Sequence, residues 1–241
     1  MLDTEAAAST TTMTVASSLI ASNLTSSTKP TTTSRTYQAT DEVNQLILQS
    51  IRNHQNFLNT KYDPDNSDHK NLLKSIFKII FGKQLKDEEL YDCQQWTMAG
   101  FQNRDPTTDL RSLGLLGLST MEYLCKYHTN TVKNEYMNRE YPFACCVFAI
   151  VNFMIKEMDM RNITTTPQDS HFVLLMKKEL YFNRDKLKQM DLFERLFCIA
   201  FEYFDKLWVK YKAGYMDFSV MYDIFAHNII QILKKEPASF R

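Results

Sequence analysis

Apolar residues recur three and four positions apart through most of the chain after residue 40, which is the spacing of one face of an α-helix. The first stripe begins behind Thr40 or Asp41, either of which can cap a helix, and the second begins near Asp68 and ends at Gly82. These two helices are predicted to point the following residues inward: Val43, Leu46, Ile47, Ile51, Leu58, Leu72, Leu73, Ile76, Phe77 and Ile80.

The middle of the chain combines short helices with an irregular stretch. A short helix is predicted from Asp87 to the residue before Gly100. Its inward side chains are Leu90, Cys93 and Trp96. Residues 101–113 show no period and contain a proline, so we predict a loop there. Helical spacing then resumes at Leu115, Leu118, Met121 and Leu124.

The second half of the chain begins with a run that is apolar almost all round, residues 143–154, directly behind Pro142. Such a run is typical of a buried central helix, and it is too short to span a membrane, which takes about 20 residues. Three more helices are predicted at about residues 169–182, 192–211 and 218–234, with Gly214 separating the last two.

Residues 1–40 differ from the rest because Ser and Thr dominate and no helical or strand period appears. We predict a disordered tail. A mitochondrial transit peptide is the alternative, but such peptides are rich in Arg and avoid acids, whereas this segment carries Asp3 and Glu5. The expected architecture is all-α: a single globular domain of seven to nine helices over residues 41–241, preceded by the tail.

Composition excludes several classes of function. The 28 Lys and Arg residues balance 28 Asp and Glu residues, which removes any global electrostatic case for binding nucleic acid. Only 5 glycines are present, too few for an all-β protein or for Gly-rich phosphate loops. The five cysteines, Cys93, Cys125, Cys145, Cys146 and Cys198, form no C-x-x-C pair, so we predict reduced core residues in an intracellular protein. The five histidines form no zinc-binding pattern, and no run is long enough for a transmembrane span.

The segment from Trp96 to Leu118 differs from a generic loop. A Trp at a helix end, followed by Gly100, Phe101 and a proline, can pin a long loop to a scaffold. Arg111 lies where the next helix begins, and the positive end of the helix dipole does not stabilise a cation there. It is therefore either paired with Asp109 or available to a partner.

This segment resembles the signature of the ELMO-domain family, which runs approximately W-x-x-x-G-F-Q-x-x-x-P-x-T-D-F-R-G-x-G-x-x-x-L. Ten positions match at the same spacing: Trp96, Gly100, Phe101, Gln102, Pro106, Thr108, Asp109, Arg111, Gly114 and Leu118. Leu110 stands for the usual Phe and Ser112 for the usual Gly after the arginine. The likeness continues in Y-P-F-A at residues 141–144 and in F-D-x-x-W at residues 204–208.

The resemblance implies one of two functions. Small, stand-alone members of the family activate Arf and Arf-like GTPases, and the resemblance makes Arg111 the catalytic arginine finger. Supporting or partner-binding roles then fall to Trp96, Phe101, Gln102, Pro106, Thr108, Asp109 and Gly114. Long members carry further domains and act as adaptors for Dock-type exchange factors, in Rac signalling to the actin cytoskeleton. The arginine and the absence of room for further domains favour the first branch.

Under the first interpretation the protein needs no cofactor or metal, because GTP and Mg²⁺ belong to the partner GTPase. We expect no intrinsic active site, no nucleic-acid partner, and a cytoplasmic location with recruitment to organelle membranes through the GTPase.

Overall fold

The computed structural model describes residues 41–161, 172–176 and 191–235. Helix bounds are α1 Asp41–Asn59, α2 Ser67–Phe81, α3 Gln94–Met98, α4 Gly114–Tyr127, α5 Thr129–Asn134, α6 Phe143–Glu157, α7 Leu192–Tyr211 and α8 Phe218–Lys235. Short 3₁₀ turns occur at Asp87–Glu89, Pro106–Leu110, Tyr136–Asn138 and Tyr215–Asp217. No strand occurs in these ranges, and the all-α fold class is confirmed. The predicted tail and most of the helix predicted at 169–182 lie outside the described residues.

Two helices form the centre of the domain. Residues of α6 are buried around most of the helix, as the apolar run predicts. Helix α4 is enclosed to a similar degree and packs against α1, α2, α6 and α7. Gly117 lets it approach its neighbours, because a Cβ there would lie 3.2 Å from the Phe148 ring of α6. No helix among the described residues is both long and apolar enough to cross a bilayer.

The prediction for α1 was wrong at one inward position, Leu46, and the side chain of Val43 lies outside what the structure describes. Leu46 is 45% exposed, while Ile47, Ile51 and Leu58 are buried as expected. The polar residues Ser50 and His54 are also buried, so they share the inward face with the apolar side chains. Hydrophobic spacing alone does not detect this face, because the partners that make the buried His54 compatible with the core, the Ser50 carbonyl and Glu194, are found only in the structure.

The predicted helix from Asp87 to Gly100 was also wrong, because it is two separate elements. A 3₁₀ turn covers Asp87–Glu89 and α3 begins only at Gln94. Between them Cys93 is extended, and its backbone N–H donates to the Arg104 carbonyl at 3.2 Å. The returning loop therefore takes the hydrogen bond that a continuous helix would have used.

The cysteine prediction holds in part. All five are free, and Cys125, Cys146 and Cys198 are buried. Cys93 and Cys145 are only half-buried, so they are not core residues. Burial still raises the pKa of the Cys145 thiol to about 11, which keeps the thiol protonated at neutral pH.

Candidate functional site

Trp96 and Phe101 connect α2 to α6 through a row of aromatic rings. Trp96 is fully buried, and its indole N–H donates to the Leu90 carbonyl at 2.9 Å. Its ring meets Phe77 at 5.2 Å and Phe101 at 5.1 Å, both edge to face. Phe101 in turn meets Phe148 of α6 at 5.7 Å. These contacts confirm the burial expected for both anchors and fix the start of the loop to the core.

Gly100 joins this loop to the first turn of α6. Its φ is +85°, and a Cβ at this position would overlap the backbone of Pro142 and Phe143. The carbonyl of Ala99 accepts the Ala144 N–H at 2.9 Å. The Gly100 carbonyl accepts the N–H of Cys145, the residue after Ala144, at 3.2 Å. Two otherwise unpaired N–H groups of the helix are thus satisfied by the loop. The W-x-x-x-G-F and Y-P-F-A motifs therefore form one structural unit.

Asp109 holds the two ends of the loop together. One carboxylate oxygen accepts the backbone N–H of Gln102 at 2.8 Å. The other lies 3.2 Å from the Thr108 hydroxyl, which is also 3.0 Å from the Asp105 carbonyl. The carboxylate is therefore engaged within the loop, and it does not form the ion pair with Arg111 that the sequence left open.

The 3₁₀ turn before Arg111 is capped by a second aspartate. The Asp105 carboxylate accepts the Thr107 N–H at 2.9 Å and the Thr107 hydroxyl at 2.7 Å. Pro106 is buried in the first position of the turn, where its missing N–H leaves no hydrogen bond unmade. The turn is consequently defined by its own residues, without help from the arginine.

Arg111 directly follows this turn and its side chain is exposed. The Arg111 side chain makes no hydrogen bond or ion pair with any residue of the described ranges. Leu110 and Leu113 on either side are 3% and 1% exposed, so the backbone is held by buried neighbours while the guanidinium faces solvent.

Ser112, which stands for the family's glycine, is compatible with the geometry found here. The residue is exposed and does not adopt a positive φ, so its Cβ introduces no left-handed strain. Its carbonyl accepts a hydrogen bond from the Arg161 guanidinium at 2.8 Å. The sequence offered no signal for Arg161, because the contact spans 49 residues.

Gly114 ties the end of the loop to α1. Its φ is +53°, and a Cβ would overlap the Leu58 carbonyl and lie 2.6 Å from that of Thr60. The next N–H, that of Leu115, donates to the Thr60 carbonyl at 3.0 Å. Only glycine combines this φ with so close a contact.

The F-D-x-x-W motif contacts the Y-P-F-A motif and supports the scaffold. Asp205 of α7 is 6% exposed and accepts two hydrogen bonds from Arg139, at 2.9 and 3.1 Å. It also accepts the Tyr141 hydroxyl at 3.0 Å, and the Tyr141 ring meets Trp208 edge to face at 5.2 Å. Burial and the Asp205 charge both raise the pKa of Tyr141. Sequence reasoning missed Arg139, which satisfies this buried carboxylate.

Two open grooves flank the loop. One, of about 710 Å³, includes Lys61, Tyr91 and Arg111 in its walls. The other, of about 610 Å³, includes Gln102, Ser112 and Met216. No group of three or more His, Cys, Asp or Glu side chains is placed to hold a metal ion in the part of the chain described. The chemical group that this arrangement offers to a partner is the exposed guanidinium of Arg111, on a backbone held in place by its buried neighbours.

The loop that carries Arg111 and the residues that hold it lie in a region that matches a known protein family. The model of the ELMO/CED-12 family matches residues 52–222, which is more than half of the chain. The chain belongs to the ELMO/CED-12 family.

Individual relatives carry the same family name. The chain is 26% identical over 184 residues to ankyrin repeat and ELMO domain-containing protein D of Dictyostelium discoideum, covering 73% of this chain and 13% of that protein. It is 28% identical over 187 residues to ELMO domain-containing protein C of the same organism, with 75% and 29% coverage. Mouse ELMO domain-containing protein 1 is 26% identical over 184 residues, with 72% and 56% coverage. The chain thus spans little more than half, or less, of these relatives.

Proposed function

We propose that this ELMO-family protein accelerates GTP hydrolysis by an Arf or Arf-like GTPase, with Arg111 supplying positive charge in trans. The observation that carries the proposal is the contrast between the arginine and its loop. The carboxylates of Asp105 and Asp109 are engaged with other groups of the loop, whereas the exposed guanidinium of Arg111 has no partner among the described residues. A charge kept in this state is available to a second molecule.

The chemical argument rests on where charge develops during hydrolysis. Negative charge moves toward the bridging and γ-phosphoryl oxygens, and a GTPase that hydrolyses slowly often lacks a cation at that position. A guanidinium can bind two of these oxygens at once in a planar geometry. In activating proteins of this kind the arginine contributes roughly 10³–10⁵ in rate, equivalent to about 4–7 kcal/mol of barrier.

A rigid base under the arginine supports the same role. Displacement of a catalytic group by about 1 Å can lose on the order of 10²-fold in rate. Leu110 and Leu113 are buried on either side of Arg111, and Arg161 binds the Ser112 carbonyl. The backbone is therefore positioned before a partner arrives, and only the side chain has to be ordered on binding.

The adaptor hypothesis depends on a structural role for Arg111, as a partner of Asp109. The Asp109 carboxylate instead binds the Gln102 N–H and lies within reach of the Thr108 hydroxyl. This arrangement does not support the structural role, and it is the reason why we favour GTPase activation over binding of a Dock-type exchange factor.

Single-turnover GTP hydrolysis by a panel of Arf, Arf-like and Rac-type GTPases tests the proposal. We expect stimulation of at least one Arf-type protein, and a loss of about 10³-fold or more with Arg111→Ala or Arg111→Lys, because lysine cannot reproduce the planar fork. Arg104→Lys is the matched control, since Arg104 is half-exposed and bound to Asp92 at 2.7 Å. No response from any GTPase, or full activity of Arg111→Lys, would overturn the proposal.

A pull-down separates the two functions. Capture of an Arf-type GTPase only with GDP and an aluminium fluoride bound as a transition-state mimic supports activation. Retention of a Dock-type protein irrespective of nucleotide, with no GTPase stimulated, would favour the adaptor.

A further inference from the structure

The corner between α7 and α8 exposes two large apolar side chains. Tyr215 is 63% exposed and Met216 is 87% exposed. Both belong to the 3₁₀ turn Tyr215–Asp217. Isolated apolar residues on a surface are ordinary, so exposure alone implies nothing about a partner. The argument for a partner comes from the rigidity of the corner and from its position beside residues 101–113, here called the Arg111 loop.

The corner is held by its own hydrogen bonds. Helix α7 is capped by Lys212, whose φ is +52°, and the N–H of Ala213 donates to the Trp208 carbonyl at 3.1 Å. The Gly214 N–H donates to the Asp217 carboxylate at 2.9 Å, and the Asp217 N–H donates back to the Gly214 carbonyl at 2.9 Å. The backbone under the two apolar residues is therefore fixed, so they are presented to solvent with little backbone freedom to lose on binding.

The two exposed residues form one wall of the 610 Å³ groove introduced above. Gln102, Asp109 and Ser112 of the Arg111 loop form another part of its lining, and Phe148 of α6 contributes as well. Ser112 directly follows Arg111 in the chain, and Arg111 itself lines the other, 710 Å³ groove, so neighbouring residues of one loop line both grooves.

We propose that this groove, here called the Met216 groove, receives an apolar side chain of the GTPase whose hydrolysis Arg111 accelerates; this inference rests on the proposed function. The argument for that occupant is area and continuity. A specific interface buries roughly 800 Å² on each partner, equivalent to a disc of about 16 Å radius. The Cα atoms of Arg111 and Ser112 are about 3.8 Å apart, so a GTPase with such a footprint over Arg111 reaches the edge of the groove that Ser112 lines. An apolar side chain of that GTPase would displace water from the groove and bury part of Tyr215 and Met216.

The expected contribution is to docking and not to the chemical step. Large apolar side chains in a preformed cleft near the centre of an interface are typical of residues that dominate binding. Their loss weakens the complex but leaves the guanidinium and its support in place. The Met216 groove should thus affect the protein concentration that gives half-maximal stimulation, while Arg111 determines the maximal rate.

The experiment measures single-turnover hydrolysis of the responding GTPase against increasing concentrations of the full chain. We expect Met216→Glu and Tyr215→Ala each to raise the half-maximal concentration about 10-fold, with the maximal rate within about 2-fold of wild type. The control is Tyr127→Ala, which removes a tyrosine that is 55% exposed at the far end of α4, about 20 Å along the helix from Gly114. It should leave both parameters unchanged, and thermal unfolding checks that each variant is folded.

Each other outcome overturns the inference in its own way. If both groove variants show the wild-type half-maximal concentration while Arg111→Ala is inactive, the Met216 groove does not bind the GTPase. The proposed function then still holds. A fall in maximal rate alone makes the groove a support for the arginine. A wild-type dimer that Met216→Glu converts to monomer in sedimentation assigns the groove to a second copy of this chain. No stimulation of any GTPase by wild type rejects the proposed function and, with it, this occupant.

Discussion

The signature segment has two halves that the protein holds in opposite ways. In the first half Trp96 and Phe101 are buried, and Gly100 is in contact with the backbone of α6. In the second half Arg111 and Ser112 are exposed, although Arg111 matches the family pattern as well as Trp96 does. The comparison teaches that one sequence motif can contain both the buried residues that hold a loop in place and the exposed side chain that the loop offers to a partner. Changes at Trp96 and Gly100 should therefore alter stability, and changes at Arg111 should alter function only.

The largest expected effect is that of Trp96→Ala. The substitution leaves a cavity in the core and deprives the Leu90 carbonyl of its donor, so we expect a loss of about 3–5 kcal/mol in the free energy of unfolding. Urea unfolding followed by circular dichroism measures it. Tyr211→Ala, which removes a half-exposed tyrosine from the end of α7, should cost less than about 1 kcal/mol. Equal losses would contradict the assignment of Trp96 to the scaffold.

A glycine series tests the joint between the loop and α6. Gly100→Ala should lose roughly 2–5 kcal/mol, because the new Cβ overlaps α6 and φ is positive. Gly82→Ala shares the positive φ but has open space around it, so the loss should be about 1 kcal/mol.

Gly214→Ala is the control for both variants. Its φ is −101°, and the nearest atom to a new Cβ lies at 3.5 Å, so we expect a change within about 0.5 kcal/mol. If Gly100→Ala and Gly82→Ala were equally destabilised, the close contact between the two motifs would be wrong.

The scaffold should also respond to pH through His54, which links α1 to α7. Its two ring nitrogens face the Ser50 carbonyl at 2.6 Å and the Glu194 carboxylate at 2.9 Å, and only the imidazolium can donate to both acceptors. Burial lowers the pKa of His54, but the hydrogen bond and charge of Glu194, together with the Ser50 carbonyl, raise it above its ordinary value on balance.

Because the pKa of His54 is raised on folding, the folded state binds more protons than the unfolded state. The stabilisation is complete below about pH 6.5, the ordinary histidine pKa, and is lost as the pH rises through the folded pKa. Unfolding at several pH values should show this decline relative to a double variant, His54→Gln with Glu194→Gln, in which neither group titrates. If the difference in the free energy of unfolding between wild type and the double variant stays constant above about pH 6.5, His54 is not an imidazolium in the folded protein.

The smallest expected effect on stability is that of Arg111→Ala. The side chain is exposed and has no partner among the described residues, so thermal unfolding should reveal a change within about 0.5 kcal/mol. This result would complete the contrast with Trp96→Ala. A loss of more than about 1 kcal/mol would instead show that the arginine supports the loop.

Much of the scaffold could be predicted because its residues act locally. The helical period located α2, α4, α6, α7 and α8, and large aromatics beside Gly100 indicated buried anchors. The prediction failed where a polar group or a distant segment decides the conformation. The spacing predicts an inward Leu46 because it cannot show that Ser50 and His54 occupy the same buried face. The sequence predicts a helical Cys93 because nothing in the local sequence shows its bond to Arg104.

The sequence by itself determined that the described part of the chain is helical, which of its runs are buried, and that Arg111 lies in a family signature. These properties follow from the spacing of side chains along one chain, which local geometry converts directly into faces and turns. Only the tertiary structure decided that Asp109 binds the loop and not Arg111, that Arg161 holds the Ser112 carbonyl, and that Met216 lies beside that loop. Such contacts depend on which groups meet after packing, when each polar group satisfies its hydrogen bonds with whatever partner the fold brings within reach.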